Sequence, residues 1–362
     1  MKLEHPFIQL PLKFDARLLA QEIQAIEESA WLPHPQGFAG NDALTLITPY
    51  GDKNSDLLSG PMQPTEYLLR CPYLMQVMQT IGGVWGRTRL MRLSGKAEVE
   101  RHVDVHYYWR ERMRVHVPIV TQPTVKFSCG DQEINMAAGE CWIFDTWRWH
   151  RVLNDDSLAR IHLVADTVGG EQFWQWLRDS KPAHIAIPGW KPQIITRKEG
   201  LPVSLRYESS NMPDVMTPWE LRDIFSFLFG ETLQHPSLGD LAAQTMDFCM
   251  SWSALWAEWG NTESAYPAFG KLRDQYLASM ARFSDISLQN GHKLVNAIAQ
   301  SLLPYCVNDQ KESMFIEARN AASSKPTEPL PRTQNRPAAE VGDARRKIVK
   351  PVIVVSSPRS GS

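Results

Sequence analysis

The chain has 362 residues, of which 43% are hydrophobic and 22% charged, with a formal net charge of −2. The length exceeds the ~250 residues at which a single core usually stops growing, so two domains and a tail are expected, and the composition is that of a folded protein, not a disordered one. The near-neutral balance favours no nucleic acid and no anionic membrane as partner, which leaves a small-molecule or peptide substrate. The N-terminal MKLEHPFIQLPLKFD is broken by charges and prolines where a signal peptide needs an apolar run, and no 18-residue apolar stretch follows, so a cytoplasmic location is expected. The five cysteines (Cys71, Cys129, Cys141, Cys249, Cys306) are odd in number, far apart and without a CxxC pair, which argues for reduced, buried thiols.

From Phe7 to about Ile119 short apolar runs alternate with Gly, Pro, Asn and Asp, as strands and loops do. One helix interrupts them over Asp15 to Glu28, where Leu19, Ile23 and Ile26 share a face and Asp15 is the candidate N-cap. Between Arg89 and Val168 the segments RLMRL, VDVHYYW, MRVHVPIV, TVKFSC, CWIFD and ARIHLVAD read as repeated strands of a β-sandwich or jelly-roll barrel. After Gly170 the pattern turns helical. Thr217, Pro218 and Glu220 make a capping box for ELRDIFSFLF, and LGDLAAQTMDFCMSWSALWAEWG, FGKLRDQYLASMARF and KLVNAIAQSLL continue as helices. The Met, Trp and Phe positions of these helices read as core.

The chemistry concentrates in RHVDVHYYWRERMRVHVPIV and GECWIFDTWRWHRVLNDDSLARIHLVADT. On a strand, positions i and i+2 share a face, so His102 and Asp104 can offer a nitrogen and an oxygen to one metal. A further histidine from another strand would complete a two-His, one-carboxylate facial triad, which leaves three positions open as non-haem Fe(II) oxygenases require. An HxD alone carries little, since a single His or Asp in a strand is ordinarily a surface or core residue.

An ordered series of motifs gives it weight: RLMRL at 89–93, His102, Arg114-Val115-His116, the G-E-x-W-x-F-D segment from Gly139 to Asp145, His150, and Arg160 ten residues later. Over roughly residues 40–170 this series resembles the aspartyl/asparaginyl β-hydroxylase family of Fe(II)- and 2-oxoglutarate-dependent oxygenases. The resemblance implies a mainly β fold, a double-stranded β-helix (jelly-roll, cupin-like) barrel followed by a small helical domain, and a hydroxylase using Fe(II), 2-oxoglutarate and O2 on an amino acid, peptidyl residue or related small molecule. It makes His102 and His150 the metal histidines and Arg160 the anchor for the distal carboxylate of 2-oxoglutarate, a role that a planar guanidinium suits. Arg114 and His116 match the family's R-x-H pair, whose members also contact the co-substrate.

Some family members lack the carboxylate ligand; here Asp104 supplies it, with His106, at i+4 from His102, as the rival. Asp145 is expected at the turn before His150. Trp142, Trp147 and Trp149 either exclude water from the site or pack as barrel core, and His162 reads as a packing residue. Two other functions stay open: a cupin-like metalloenzyme using His102, His106, His116 and His150 without an oxo acid, and a catalytically silent barrel acting as a scaffold.

These readings divide the chain into an oxygenase barrel at 1–175, a connecting segment at 176–216, a helical domain at 217–310, a disordered Pro-rich linker at 321–350 and a new element at 351–362. In that last element Val352 to Val355 reads as a strand leading into SSPRSGS. It is similar to the phosphosulfate-binding loop that opens PAPS-using sulfotransferase domains, which implies a fused C-terminal sulfotransferase domain beyond Ser362.

Overall fold

A computed structural model describes residues 2–33, 38–209 and 212–308. The expected linker and the sulfotransferase-like loop lie outside the described residues.

Ten strands carry the architecture: β1 (Phe7–Phe14), β2 (Asn41–Pro49), β3 (Val84–Leu93), β4 (Glu98–His102), β5 (Met113–Val120), β6 (Val125–Cys129), β7 (Gln132–Ile134), β8 (Glu140–Phe144), β9 (His150–Asn154) and β10 (Arg160–Thr167). The larger antiparallel sheet runs β1-β8-β5-β10-β3-β2, and the smaller runs β4-β9-β6-β7. Two facing sheets with strands exchanged between them in this order form a double-stranded β-helix.

Period-two alternation assigns the faces. On β5, Met113, Val115, Val117 and Ile119 join one apolar cluster beneath flanking helices, while Arg114 and His116 turn to the barrel interior. On β10, Ile161, Leu163 and Ala165 pack outward with that cluster, and Arg160, His162 and Asp166 turn inward. The interior itself is closed by Phe7, Val125, Phe127, Trp142, Phe144 and Val152. The polar residues that interrupt otherwise apolar strands are therefore the lining of the barrel.

Asp15 caps the first helix, α1 (Ala16–Gln24), by accepting from the Arg17 and Leu18 amides. Two helices were not expected from the strand-and-loop reading of this region. The short α2 (Glu66–Leu69) precedes α3 (Pro72–Ile81), which has Pro at its first turn, buries Tyr73, Leu74, Val77, Met78 and Ile81, and stops at Gly82 with φ 76°. Its first amides, Tyr73 and Leu74, donate to the Glu22 carboxylate from α1 at 2.7 and 2.9 Å. The run VDVHYYW is also not a strand. Pairing ends at His102, and Tyr107–Arg110 forms a 3-10 turn whose N-cap is the His106 side chain, which accepts from the Tyr108 amide at 3.1 Å.

After α4 (Glu171–Arg178), the helices α5 (Pro218–Gly230), α6 (Leu238–Trp259), α7 (Tyr266–Ser279) and α8 (Leu294–Ser301) complete the fold. Thr217 caps α5 by accepting from the Glu220 amide. The Glu220 carboxylate accepts from the Tyr107 hydroxyl. The helices share one hydrophobic cluster with Val103, Val105, Tyr107, Tyr108, Trp109 and Trp147 of the barrel loops. All five cysteines are buried, and burial pushes the thiols of Cys71 and Cys129 up to about 12. Among the described residues no helix is long and apolar enough to cross a membrane.

Candidate metal centre

His102 ends β4 and His150 begins β9, and the two are paired across the ladder, with ring centroids 4.1 Å apart. Asp104 lies two residues beyond the end of β4, so strand alternation is not what places it. Its amide donates to Thr146 O at 3.0 Å, which keeps the segment after β4 alongside the turn that leads to His150. The outcome is a cluster in which His102 Nε2 stands 3.7 Å from Asp104 Oδ1 and His150 Nε2 stands 4.0 Å from Asp104 Oδ2. Among the described residues this is the one group of three metal-competent side chains.

The tautomers follow from the hydrogen bonds. His102 Nδ1 meets the Glu100 carbonyl at 2.7 Å and His150 Nδ1 meets the Arg148 carbonyl at 2.9 Å. A carbonyl only accepts, so each Nδ1 carries a proton, and Nε2 is the ring nitrogen on the Asp104 side in both histidines. His150 Nε2 is buried without a hydrogen-bond partner, which is costly unless an electrophile occupies the gap. Burial, reinforced by His102, pushes the His150 imidazole down to about 3. Burial alone would raise Asp104, but Arg114 first, then His150 and His102, hold its carboxyl below the ordinary range. Two imidazole nitrogens and one carboxylate brought together in this way are the donor set that suits a divalent transition metal, and these residues fit an Fe(II).

His106 is not part of this group. Its Nδ1 serves the Tyr108 amide and its Nε2 meets the Tyr305 hydroxyl, so the ring faces the helices. His116 is also apart from the triad, which leaves the four-histidine arrangement unassembled.

A second cluster lies along β10 and β5. Arg160 is only 2% exposed, and no ion pair to it occurs among the described residues. Its Nη2 donates to His162 Nδ1 at 2.7 Å, while its Nε has no partner. His162 Nε2 and both ring nitrogens of His116 are likewise buried without hydrogen bonds, and the two rings lie 5.9 Å apart. Burial pushes the Arg160 guanidinium down to about 9, still charged at neutral pH. Burial, with Arg160 next, holds both His116 and His162 well below 6.5. A buried cation ringed by unused donors is an anion site in waiting, because an isolated charge in low dielectric costs several kcal/mol.

Arg114 sits differently from its R-x-H partner. Its Nη1 donates to Asp104 Oδ2 at 3.1 Å and its Nε to Asp166 Oδ1 at 3.1 Å. Asp145 closes the turn before His150, accepting from the Trp147 amide and Arg148 Nε, each at 2.9 Å. Trp142 belongs to the core between the sheets. Trp147 and Trp149 instead bind the helices: Trp147 Nε1 donates to Glu231 Oε2 at 3.1 Å, and Trp149 Nε1 donates to the Asn290 carbonyl while stacking on His292. Sequence reasoning missed Asp166, whose only signal was its inward phase on the strand that begins at Arg160.

Residues 51–169 match the family described as Aspartyl/Asparaginyl beta-hydroxylase. The match contains His102, Asp104, Arg114, His116, His150 and Arg160, and it falls within the stretch where the motifs carry the resemblance. L-proline cis-3-hydroxylase 1 of a Streptomyces species is 26% identical over 157 residues, or 40% of this chain and 50% of that protein. The chain thus spans half the length of that curated relative. A Pseudomonas putida prolyl-4-hydroxylase structure aligns over 45% of this chain and 92% of its own, at 14% identity and a TM-score of 0.32. A Burkholderia pseudomallei oxidoreductase of the 2OG-Fe(II) oxygenase family aligns over 43% and 81%, at 13% identity and a TM-score of 0.32.

Proposed function

We propose that the protein is an Fe(II)- and 2-oxoglutarate-dependent hydroxylase of an amino acid, peptidyl residue or related small molecule. His102, Asp104 and His150 hold the metal. The observation that carries the reading is Arg160, a buried guanidinium without an ion-pair partner among the described residues, on the strand that follows the one bearing His150. Neither a structural zinc site nor a silent barrel needs a buried cation left open inside the barrel.

When bound, the iron supplies the oxidation: 2-oxoglutarate and O2 become succinate and CO2, with one oxygen atom placed in succinate and the other in the hydroxyl of the product. The chain supplies positions. His102 and His150 fix Nε2 as the atom offered to the metal by donating Nδ1–H to backbone carbonyls. Arg160 pairs with the distal carboxylate of 2-oxoglutarate, and the unused donors of His116 and His162 lie beside it to hydrogen-bond its oxygens. Phe144 stacks edge-on to His150 at 4.9 Å and excludes water from that side.

Because the Streptomyces relative is by its name an L-proline hydroxylase, free proline is the first substrate to test. Anaerobically purified protein, given Fe(II), 2-oxoglutarate, O2 and a panel of amino acids and peptides, should form succinate with a product heavier by one oxygen atom. Succinate formation that no candidate substrate stimulates, together with no iron binding, would overturn the reading. On a separate footing we propose that residues 351–362 open a fused sulfotransferase domain able to sulfate that hydroxyl, an idea refuted by downstream coding sequence with no α/β pattern.

A further inference from the structure

Asp166 belongs to no part of the chemistry described so far, yet it is a carboxylate only 2% exposed on the inner face of β10. It is paired in register with Arg114 on β5, and Arg114 Nε donates to its Oδ1 at 3.1 Å. The same guanidinium reaches on with Nη1 to Asp104 Oδ2 at 3.1 Å. Its carbon lies 3.9 Å from the centroid of the Trp109 ring, so the fork rests on an aromatic face. A guanidinium is planar and its donors are fixed relative to one another. Holding Nε therefore fixes where Nη1 points.

We infer that Asp166 is a positioning residue for the metal centre: by holding Arg114, it aims that guanidinium at Oδ2 of Asp104 and leaves Oδ1, the atom nearer His102, for the metal. The inference rests on the triad reading and adds to it how the weakest member of the triad is kept in place. Asp104 needs such a device because it lies beyond the end of β4, where no ladder hydrogen bond fixes its backbone except the one to Thr146.

The test measures Co(II) binding to the purified full chain by titration and by the metal-induced rise in melting temperature, so that it does not depend on turnover. Asp166→Asn keeps the shape and removes the charge. It should weaken Co(II) by roughly 10–100-fold, the usual cost of losing a partner of a metal ligand. In an Asp104→Ala background the same change should do nothing further, whereas general loosening of the barrel would weaken Co(II) in both backgrounds. Wild-type affinity in Asp166→Asn, or equal losses in the two backgrounds, overturns the inference. If Asp104→Ala itself binds Co(II) normally, the triad reading fails first and this inference with it. Should Asp166→Asn not fold, Arg114→Gln removes the guanidinium but leaves the Asp166 carboxylate without its cation, and the double variant Arg114→Gln/Asp166→Asn removes that leftover charge as well. Both should bind Co(II) weakly and to the same degree, and a further loss in the double variant overturns the role of Arg114 as intermediary.

Discussion

His102 and His150 face one another across two neighbouring strands, and each donates Nδ1–H to the carbonyl two residues before it, of Glu100 and Arg148 respectively. The ladder thus sets both ring positions and both tautomers before any metal arrives. His150→Ala removes one of two nitrogen donors and should reduce Fe(II) or Co(II) affinity by more than the ~10–100-fold expected for losing an outer partner. Equilibrium dialysis with metal analysis checks this, and wild-type retention of metal would refute the centre.

Arg160→Met separates co-substrate from metal. Loss of a buried charge-assisted pair is worth about 2–5 kcal/mol, or roughly 30- to several-thousand-fold in 2-oxoglutarate affinity, while Co(II) affinity should stay near wild type. The apo variant should also be as stable as wild type or more so, because an apolar side chain replaces a buried cation without an ion-pair partner among the described residues. Urea unfolding of the apo proteins tests the second half, and a large destabilisation would point to a structural role for the guanidinium.

Acid should destabilise the fold in a way that His116 reports. Burial depresses the folded-state value of His116 and His162 well below 6.5, so the unfolded chain takes up protons first. Their contribution is complete above about pH 6.5 and is lost as the pH falls from there toward the folded values, at up to ~1.4 kcal/mol per pH unit for each. His116→Phe should flatten the fall in urea midpoint between about pH 7 and pH 5, since its ring makes no hydrogen bond and lies against Phe127 and Phe144. An unchanged slope counts against the buried neutral imidazole.

Cutting the chain after residue 216 should abolish the native fold, not merely remove an accessory domain. Val103, Val105, Tyr107, Tyr108, Trp109 and Trp147 share the helices' core, and exposing them forfeits on the order of 10 kcal/mol at ~1.5–3 kcal/mol each, comparable to the whole stability of a domain. Residues 1–308 should keep a cooperative unfolding transition and Co(II) binding. Near-UV circular dichroism of both fragments distinguishes the cases.

The barrel was legible because its strands alternate. In Arg114-Val115-His116 and Arg160-Ile161-His162, polar residues that look misplaced in apolar strands mark the interior face. That His102, Asp104 and His150 come together was legible, though for partly the wrong reason, since Asp104 comes in from a loop and not from strand alternation. His106 could not be set aside from the sequence, because its partner, Tyr305, lies 199 residues away. The same distance problem hid the binding of Trp147 and Trp149 to Glu231 and Asn290, and hid Asp166, whose meaning depends on pairing with Arg114. The helix Pro72–Ile81 was missed among loop signals even though Pro72 and the four-residue spacing of Tyr73, Val77 and Ile81 were present.

Under the proposed function, the placing of His102 and His150 on one sheet and Arg160 on the other has a consequence for which oxo acid fits. Phe127 and Val152 on the smaller sheet pack against Phe144 on the larger, and a close-packed interior does not stretch or shrink to order. A molecule chelated at one sheet and ion-paired at the other is therefore measured by the gap. Oxaloacetate, one carbon shorter than 2-oxoglutarate, and 2-oxoadipate, one carbon longer, are then expected to bind more weakly, and pyruvate brings no second carboxylate at all. On that reading the side chains that space the sheets would act as a gauge of chain length, and trimming Phe127 or Phe144 would reset it.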